Sequence, residues 1–519
     1  MTPLRAFASA TILTILGIVV VFVHAACAQT GSSPAYFPYP PGVIPADVDQ
    51  EIQRVQGEVD HIFQQALAQW RALPSTPSTR MPHVQLLGKL LLFDKNLSVN
   101  RNQACSFCHM PYTAFTGPIS SLNATTVAYP GSVHWRFGHR KPQSYTYAPF
   151  YPGLQYNHSQ QDFYGGNFWD LRATGYKLQS PAAEQAQDPP IDPNEMGFPD
   201  TACVVHRLSQ SAYRPLFETV WGSQAFRIDW PADIDQVCSR AVPPRPNAPG
   251  PVQLSQVDRD RANATYDQFG LAIAAYEAAP DVSPFSSKFD YALANPDQPV
   301  LSADELAGWN LFRGKAKCNT CHLDGTENRG TKDVGGGPMT PGDAAGVAPL
   351  FTDFTSSNLG LPKNVAIPYY YETTPDSFGF TPNPQGFAFI DKGVGDFLRG
   401  SLNPNAGWTQ YADRFDGKMQ NPTLRNVDMR PYPEFVKAYM HNGYLKSLKE
   451  VVHFYNTRDT LGPCGPGKIE KVTCWPPPEV PQNLTKKIGN LGLSAGEEDQ
   501  LVAFLKTLTD GYTPPAAKH

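Results

Sequence analysis

Cys105-Ser106-Phe107-Cys108-His109 and, far downstream, Cys318-Asn319-Thr320-Cys321-His322 are two copies of one pattern. Two thiols three residues apart reach the two vinyl groups of one porphyrin, and the adjacent His points its imidazole at the iron from the same face. Cys-x-x-Cys-His is therefore the attachment signature of c-type haem. A zinc site would need four ligands, and no second Cys pair stands at matching spacing. A redox Cys-x-x-Cys would not need the His in both copies. The chain is expected to carry two covalently bound haem c groups, through Cys105, Cys108 and His109 in one half and Cys318, Cys321 and His322 in the other.

The surroundings of the motifs repeat as well. Leu87-Gly88 and Phe93 stand on a short helix before the first motif, and that half closes on an amphipathic helix containing Asp267 to Tyr276. Leu306-Ala307-Gly308 and Phe312 precede the second, which closes on Asp499 to Leu505. Helix, haem motif, long loops and terminal helix occur twice, so a duplicated architecture follows. The expected fold is mainly α, with two cytochrome-c-like haem domains, long irregular loops and an N-terminal helical extension. Residues 46 to 72 show helical periodicity and end before a Pro/Ser/Thr linker, Pro74 to Pro82, so this helix is expected outside the haem domains. The boundaries are 1–28 for a signal peptide, 29–80 for the extension and linker, 81–283 for the N-terminal haem domain and 284–519 for the C-terminal one. The Pro-rich stretch 242 to 251 reads as a loop within the first half.

Across 519 residues, 41% are hydrophobic and only 17% charged, with 51 prolines and 41 glycines, which suits long connections. The net charge of -5 and the lack of a basic block argue against nucleic acid. Arg5, the apolar run Thr11 to Val23 and Ala26-Cys27-Ala28 before Gln29 read as a secretory signal rather than a membrane anchor, because the core is short for a span. Export to the periplasm with no stable membrane span follows. Of nine cysteines, Cys27 leaves with the signal and four hold haem. Cys203, Cys238, Cys464 and Cys474 remain for two local disulfides in an oxidising compartment, or for free buried thiols.

Longer stretches decide between functions. LGKLLLFDKNLS at 87–98, GNFWDLRA at 166–173, DPNEMG at 192–197, FTDFTSSNLGLP at 351–362, NPTLRNV at 421–427 and YMHNGYLKSLKEVVHFYN at 439–456 together resemble the bacterial diheme cytochrome c peroxidase / MauG family. The resemblance spans about Leu86 to Leu508. It implies a peroxide-reacting haem at His109 and an electron-accepting haem at His322. Glu195 matches the family's distal glutamate, which takes a proton from peroxide and returns it to the departing oxygen. Pro189 matches a proline of the same pocket, and Trp169 matches the tryptophan between the haems.

For the sixth ligand of the C-terminal haem, the resemblance points to Tyr455, where peroxidase members have Met and MauG-like members Tyr. Met440 is the weaker candidate. The peroxidase members also have a loop His on the first iron at rest; His134 and His139 lie near that place, and His134 is a secondary ligand candidate. Their inter-domain calcium uses an Asn after the Arg matching Arg140, where this chain has Lys141. An ammonium can replace the ion's charge but cannot bind it, which leaves calcium in doubt.

Three readings follow. One is a periplasmic peroxidase reducing H2O2 with electrons from a small cytochrome c or cupredoxin. Another is a MauG-like oxidase using high-valent haem to oxidise a protein substrate. The third is a diheme electron carrier, which would have no use for Glu195.

Overall fold

The computed structural model describes residues 46–73, 80–134, 136–242, 250–325 and 349–515. The expected signal peptide, most of the Pro74–Pro82 linker and most of the 242–251 loop lie outside these residues. Helices predominate, and among the described residues the sheets are two antiparallel pairs: the hairpin Gln155–Asn157 with Asp162–Tyr164, and Ser356–Ser357 with the distant Met419–Gln420. Among the described residues, no helix is long and apolar enough to cross a membrane.

The duplication is visible in how helices cross. In the first half, Arg80–Phe93 packs on the closing helix Gln256–Glu277. Gly88 makes the crossing close: a Cβ there would stand 2.0 Å from the Ala272 carbonyl oxygen. In the second half, Ala303–Arg313 packs on Ala495–Lys506, and a Cβ on Gly308 would stand 1.9 Å from the Gln500 carbonyl oxygen. Only glycine lets two backbones approach so nearly. The two helices of the second pair begin with capping boxes, Ser302 with Glu305 and Ser494 with Glu497, so both starts are written locally.

Two main cores result. The first includes Leu87, Leu90, Leu91, Phe107, Phe269 and Ile273, and the second Phe289, Phe312, Phe351, Phe454 and Phe504. A third cluster joins the halves, with Leu154, Phe163 and Leu171 packed on Val394, Trp408 and Phe415.

The N-terminal helix, Ala46–Arg71, corrects one expectation. It does not stand outside the haem domains: Val48, Ile52, Val55, Val59, Ala66 and Leu67 are buried in the first core. Burying each such side chain is worth about 1.5–3 kcal/mol for the larger ones, which a free helix would forgo. Polar contacts fix its register, with Tyr112 donating to Glu58 at 2.8 Å and Gln56 to the Asn102 carbonyl at 3.0 Å. Helical periodicity revealed an apolar face but not what would cover it.

The four non-motif cysteines form the two local disulfides, Cys203–Cys238 and Cys464–Cys474. Among the described residues the free cysteines are the four of the motifs.

Candidate haem-binding and peroxide site

Each motif histidine is held in the same way. Cys105–Cys108 form one helical turn, and His109 follows it with Nδ1 2.8 Å from the Phe115 carbonyl oxygen. His322 has Nδ1 3.0 Å from the Phe351 carbonyl oxygen. Nδ1–H donating to a carbonyl leaves the Nε2 lone pair for a metal, and fixes the ring's direction. Phe115 and Phe351 both adopt left-handed backbone, with φ of 52° in each. Burial lowers both histidines to about 4, so both imidazoles are neutral and able to ligate. The paired Phe-Thr steps, 115–116 and 351–352, carried this signal in the sequence.

A cavity of about 440 Å³ is lined by Cys108 and His109 of the first motif and by Cys318 and His322 of the second. A smaller one, about 50 Å³, adjoins Cys105, Cys108 and His109. Burial pushes the Cys105 and Cys318 thiols up to about 12. Tyr145 Oη and Asn194 Oδ1, which border these cavities, have no hydrogen-bond partner among the described residues. Paired thiols, a freed Nε2 and unfilled space beside each motif fit a haem c at both places.

Trp169, 8% exposed, sits on the seam between the halves. Its Nε1–H donates to the Lys141 carbonyl at 3.1 Å, and its own carbonyl accepts from the Gln420 amide at 2.7 Å. The His441 ring lies edge-on to it at 6.4 Å. Around Trp169 runs a chain of ion pairs. Arg140 holds Asp391 at 2.7 and 2.8 Å and Asp170 at 2.7 Å, while Arg172 holds Asp170 at 3.0 Å and Asp188 at 2.8 Å. These guanidinium partners keep Asp391 far below the usual carboxylate range and lower Asp170 to about 2, against the opposing effect of burial.

Pro189, Asp192 and Glu195 line the cavity together on one tight turn, closed by Met196 N to Pro189 O at 3.1 Å and Gly197 N to Asp192 O at 2.9 Å. Glu195 is exposed and lines both cavities. Burial raises its proton affinity, and the negative charges of Asp192 and Asp188 raise it further, with Arg172 opposing. Asp192 is raised for the same reasons.

The two loop histidines separate. His134 is an exposed residue and does not line the cavity, so the structure does not bring it to the site. His139 does line it, 5.2 Å from the Tyr369 ring and 3.7 Å from Asp391. Tyr369 and Asp391 come from the second half, as part of a segment anchored over the first by buried Arg136, which donates to Asp376 at 2.7 Å. The sequence reading missed this segment, along with Asp192, Arg172 and Asp391. Their proximity is set by chain crossing between halves.

Tyr455, on the helix Leu448–Thr457, and Met440, in a left-handed turn with φ of 69°, both line the cavity with His322. Tyr455 is pushed up by burial first and then by Cys321 and Cys318, which places it beside the second motif. Lys141 Nζ donates to Thr116 Oγ1 at 2.9 Å and to the Pro142 carbonyl at 3.1 Å. An ammonium at this spot repels a dication, and the residues here do not fit calcium.

A sequence profile of the di-haem cytochrome c peroxidase family matches residues 82–298. The methylamine utilization protein MauG of Paracoccus denitrificans is 29% identical over 434 residues, 83% of this chain and 89% of that protein. The cytochrome-c peroxidase IdrP1 of Denitromonas iodatirespirans is 25% identical over 82% of this chain and 80% of its own length. Residues 82–298 thus carry the pattern of the di-haem cytochrome c peroxidase family, and the chain is similar to MauG and cytochrome-c peroxidase relatives along most of its length. Among solved structures, the diheme peroxidase BthA of Burkholderia thailandensis shares the fold, with a TM-score of 0.58 at 24% identity over 84% of this chain and 89% of that one. With its two Cys-x-x-Cys-His motifs and these likenesses, the protein is a haem oxidoreductase with two covalent haem c groups.

Proposed function

We propose that the protein is an exported, periplasmic peroxidase that reduces H2O2 to water, with electrons from a small cytochrome c or cupredoxin. In this reading residues 284–519 receive electrons at the His322 site, and residues 81–283 handle peroxide beside His109. A haem c at each site supplies a coordination position and reversible one-electron chemistry. The overall balance is H2O2, two protons and two electrons to two waters.

The carrying observation is Glu195, an acid with raised proton affinity on the wall of the cavity beside the first motif. A carboxyl tuned towards neutrality is strong enough as a base to accept a peroxide proton and acidic enough to return it to the departing oxygen. Pro189, on the same turn, offers no N–H and no ligating atom, so it shapes the cavity without competing for the iron. Arg172 limits how far Glu195 is raised. Trp169, fixed at the seam by its Lys141 and Gln420 hydrogen bonds, is positioned to pass charge between the halves. The two disulfides support export to an oxidising compartment.

A MauG-like oxidation of a protein substrate is the second reading, favoured by Tyr455 beside the second motif. A phenolate there disfavours ferrous iron, whereas a thioether favours it. A carrier without chemistry has no use for the acid at Glu195.

The test is Glu195→Gln, which keeps the shape and removes proton exchange. Turnover of H2O2 by the two-haem protein should fall about 10²-fold or more, with both haems retained by mass. Unchanged turnover overturns the assignment of Glu195. Oxidation of a reduced small cytochrome c by H2O2, followed spectroscopically, separates the peroxidase reading from the MauG-like one.

A further inference from the structure

The two closing helices meet their partners in the same register. A Cβ on Gly88 would meet the Ala272 carbonyl and, at 2.8 Å, Tyr276 Cβ; one on Gly308 would meet the Gln500 carbonyl and, at 2.9 Å, Phe504 Cβ. Ala272 thus corresponds to Gln500 and Tyr276 to Phe504, which pairs Ile273 with Leu501 and Glu277 with Leu505. Leu501 and Leu505 line the larger cavity with His322. Ile273 and Glu277 line the smaller one with Cys105, Cys108 and His109. Where the second haem site has a leucine, the first has a carboxyl group.

That carboxyl is held at a cost. Glu277 is 1% exposed, and among the described residues its Oε2 has no hydrogen-bond partner. Burial raises its proton affinity well above the usual carboxylate range. A leucine at the same place, as in the second half, would bury no polar atom. Glu277 acts electrostatically on Cys105 and on Tyr145. Cys105 is an attachment sulfur, so the carboxyl belongs to the thioether side of the haem and not to His109, whose own influences are Phe115, Lys141 and Gln143.

Few other ionisable groups face it. Tyr129, Tyr145 and Tyr276 are phenols that burial drives away from ionisation, and Cys105 has no proton to exchange once it is a thioether. Glu195 lines the same cavity, but the charges that act on it are Asp192, Asp188 and Arg172. On the helices packed against Gln256–Glu277, Lys89 pairs with Asp281, and Glu184 accepts from the Gly175, Lys177 and Leu178 amides. His206 and Arg207 interact with Asp235.

Ferric iron carries one more positive charge than ferrous iron. A positive charge beside a buried carboxyl favours its ionised form, and loss of that charge raises its proton affinity. Peroxide reduction consumes two protons with its two electrons, and Glu195, which returns the proton it takes from peroxide, supplies neither. We propose that Glu277 binds a proton from solvent when the iron beside His109 gains an electron and releases it when that iron is reoxidised, a redox-linked acid that the second site lacks. The electron is the donor's, the proton is water's, and the carboxyl O–H bond is the one that forms and breaks.

This assignment rests on the two-haem composition and holds for a peroxidase or a MauG-like oxidase alike. It is tested on the two-haem protein with Glu277→Gln, which keeps the shape, and Glu277→Leu, which copies the second half. Spectroelectrochemical titration at a series of pH values reads the potential of each haem. Infrared difference spectra between oxidised and reduced protein read protonated carboxyl groups, a signal that a purely structural role would not move.

In the unmutated protein the potential of the His109 haem should fall as pH rises, and reduction should bring in a carboxylic C=O band that shifts in D2O. Both variants should flatten that pH dependence and lose the band, with the pH dependence at the His322 haem unchanged. If Glu277→Leu does not load both haems, Glu277→Gln decides alone. The proposal is overturned if the dependence and the band persist in both variants, or are absent from the unmutated protein. Loss of the band in Glu195→Gln with its retention in Glu277→Gln also overturns it, by giving the proton to Glu195. Because Glu195→Gln turnover is measured separately, failure here leaves the peroxidase reading standing, and the reverse also holds.

Discussion

In the first half His109 is tied through Nδ1 to the Phe115 carbonyl, and in the second His322 is tied in the same way to Phe351. Both carbonyls come from left-handed phenylalanines, and both halves cross their helices at a glycine. Away from the proximal histidines the halves stop matching. Beside the first motif stand Glu195, Asp192 and Pro189, with Arg172 opposing the acids. Near the second are Tyr455 and Met440, with Leu448, Val451 and Val452 among the apolar lining. The parts that hold each motif histidine match, while the remaining wall differs, with carboxyl groups beside the first motif and a phenol and a thioether near the second.

Breaking one copy of the shared frame has the largest expected effect. Replacing Cys318 and Cys321 by Ala should remove one haem of the two from the intact mass, while the His109 haem stays attached. Loss of both would show that the halves cannot be loaded separately.

Next in size is the ligand of the second haem. Tyr455→Phe should change the absorption spectrum and potential of the His322 haem, while Met440→Leu should alter packing only. The near-infrared sulfur-to-iron band of His/Met ferric haem should be absent from the unmutated protein. Its presence, and its loss in Met440→Leu, would reverse the assignment.

The glycine crossings sharpen the comparison through stability. Gly88→Ala and Gly308→Ala each force a Cβ against a carbonyl oxygen, at 2.0 and 1.9 Å from its present position. Each should cost about 1–3 kcal/mol in denaturant melts, and by similar amounts if the crossings are equivalent. A large difference would mean one half repacks more freely.

The smallest effect probes the acids. Asp192 helps hold the Glu195 proton by like-charge repulsion, and its removal favours the ionised form. Asp192→Asn should therefore lower the Glu195 pKa. The limb of the pH profile of H2O2 turnover that follows Glu195 should move to lower pH. A shift to higher pH, or none, would show that Asp192 does not act on Glu195 through charge.

Much of this protein is determined by its sequence alone. Two Cys-x-x-Cys-His motifs, each after a helix containing a glycine, specify two haem sites because thiol spacing and an adjacent His are local chemistry. The pairing of Cys203 with Cys238 and Cys464 with Cys474 was one of two readings there, and the structure chose it. Pattern alone placed the helix Ala46–Arg71 nearly to the residue, yet left it outside the first core, since periodicity shows an apolar face and not its partner.

Only the tertiary structure brought Asp192 and Arg172 to Glu195, Tyr369 and Asp391 to His139, and Glu277 to Cys105. It also distinguished His134 from His139, five residues apart in one loop, since His139 alone of the two lines the cavity. The reason is physical: covalent attachment is decided within five neighbouring residues, whereas charge balance in a buried seam depends on segments that meet only when two halves pack.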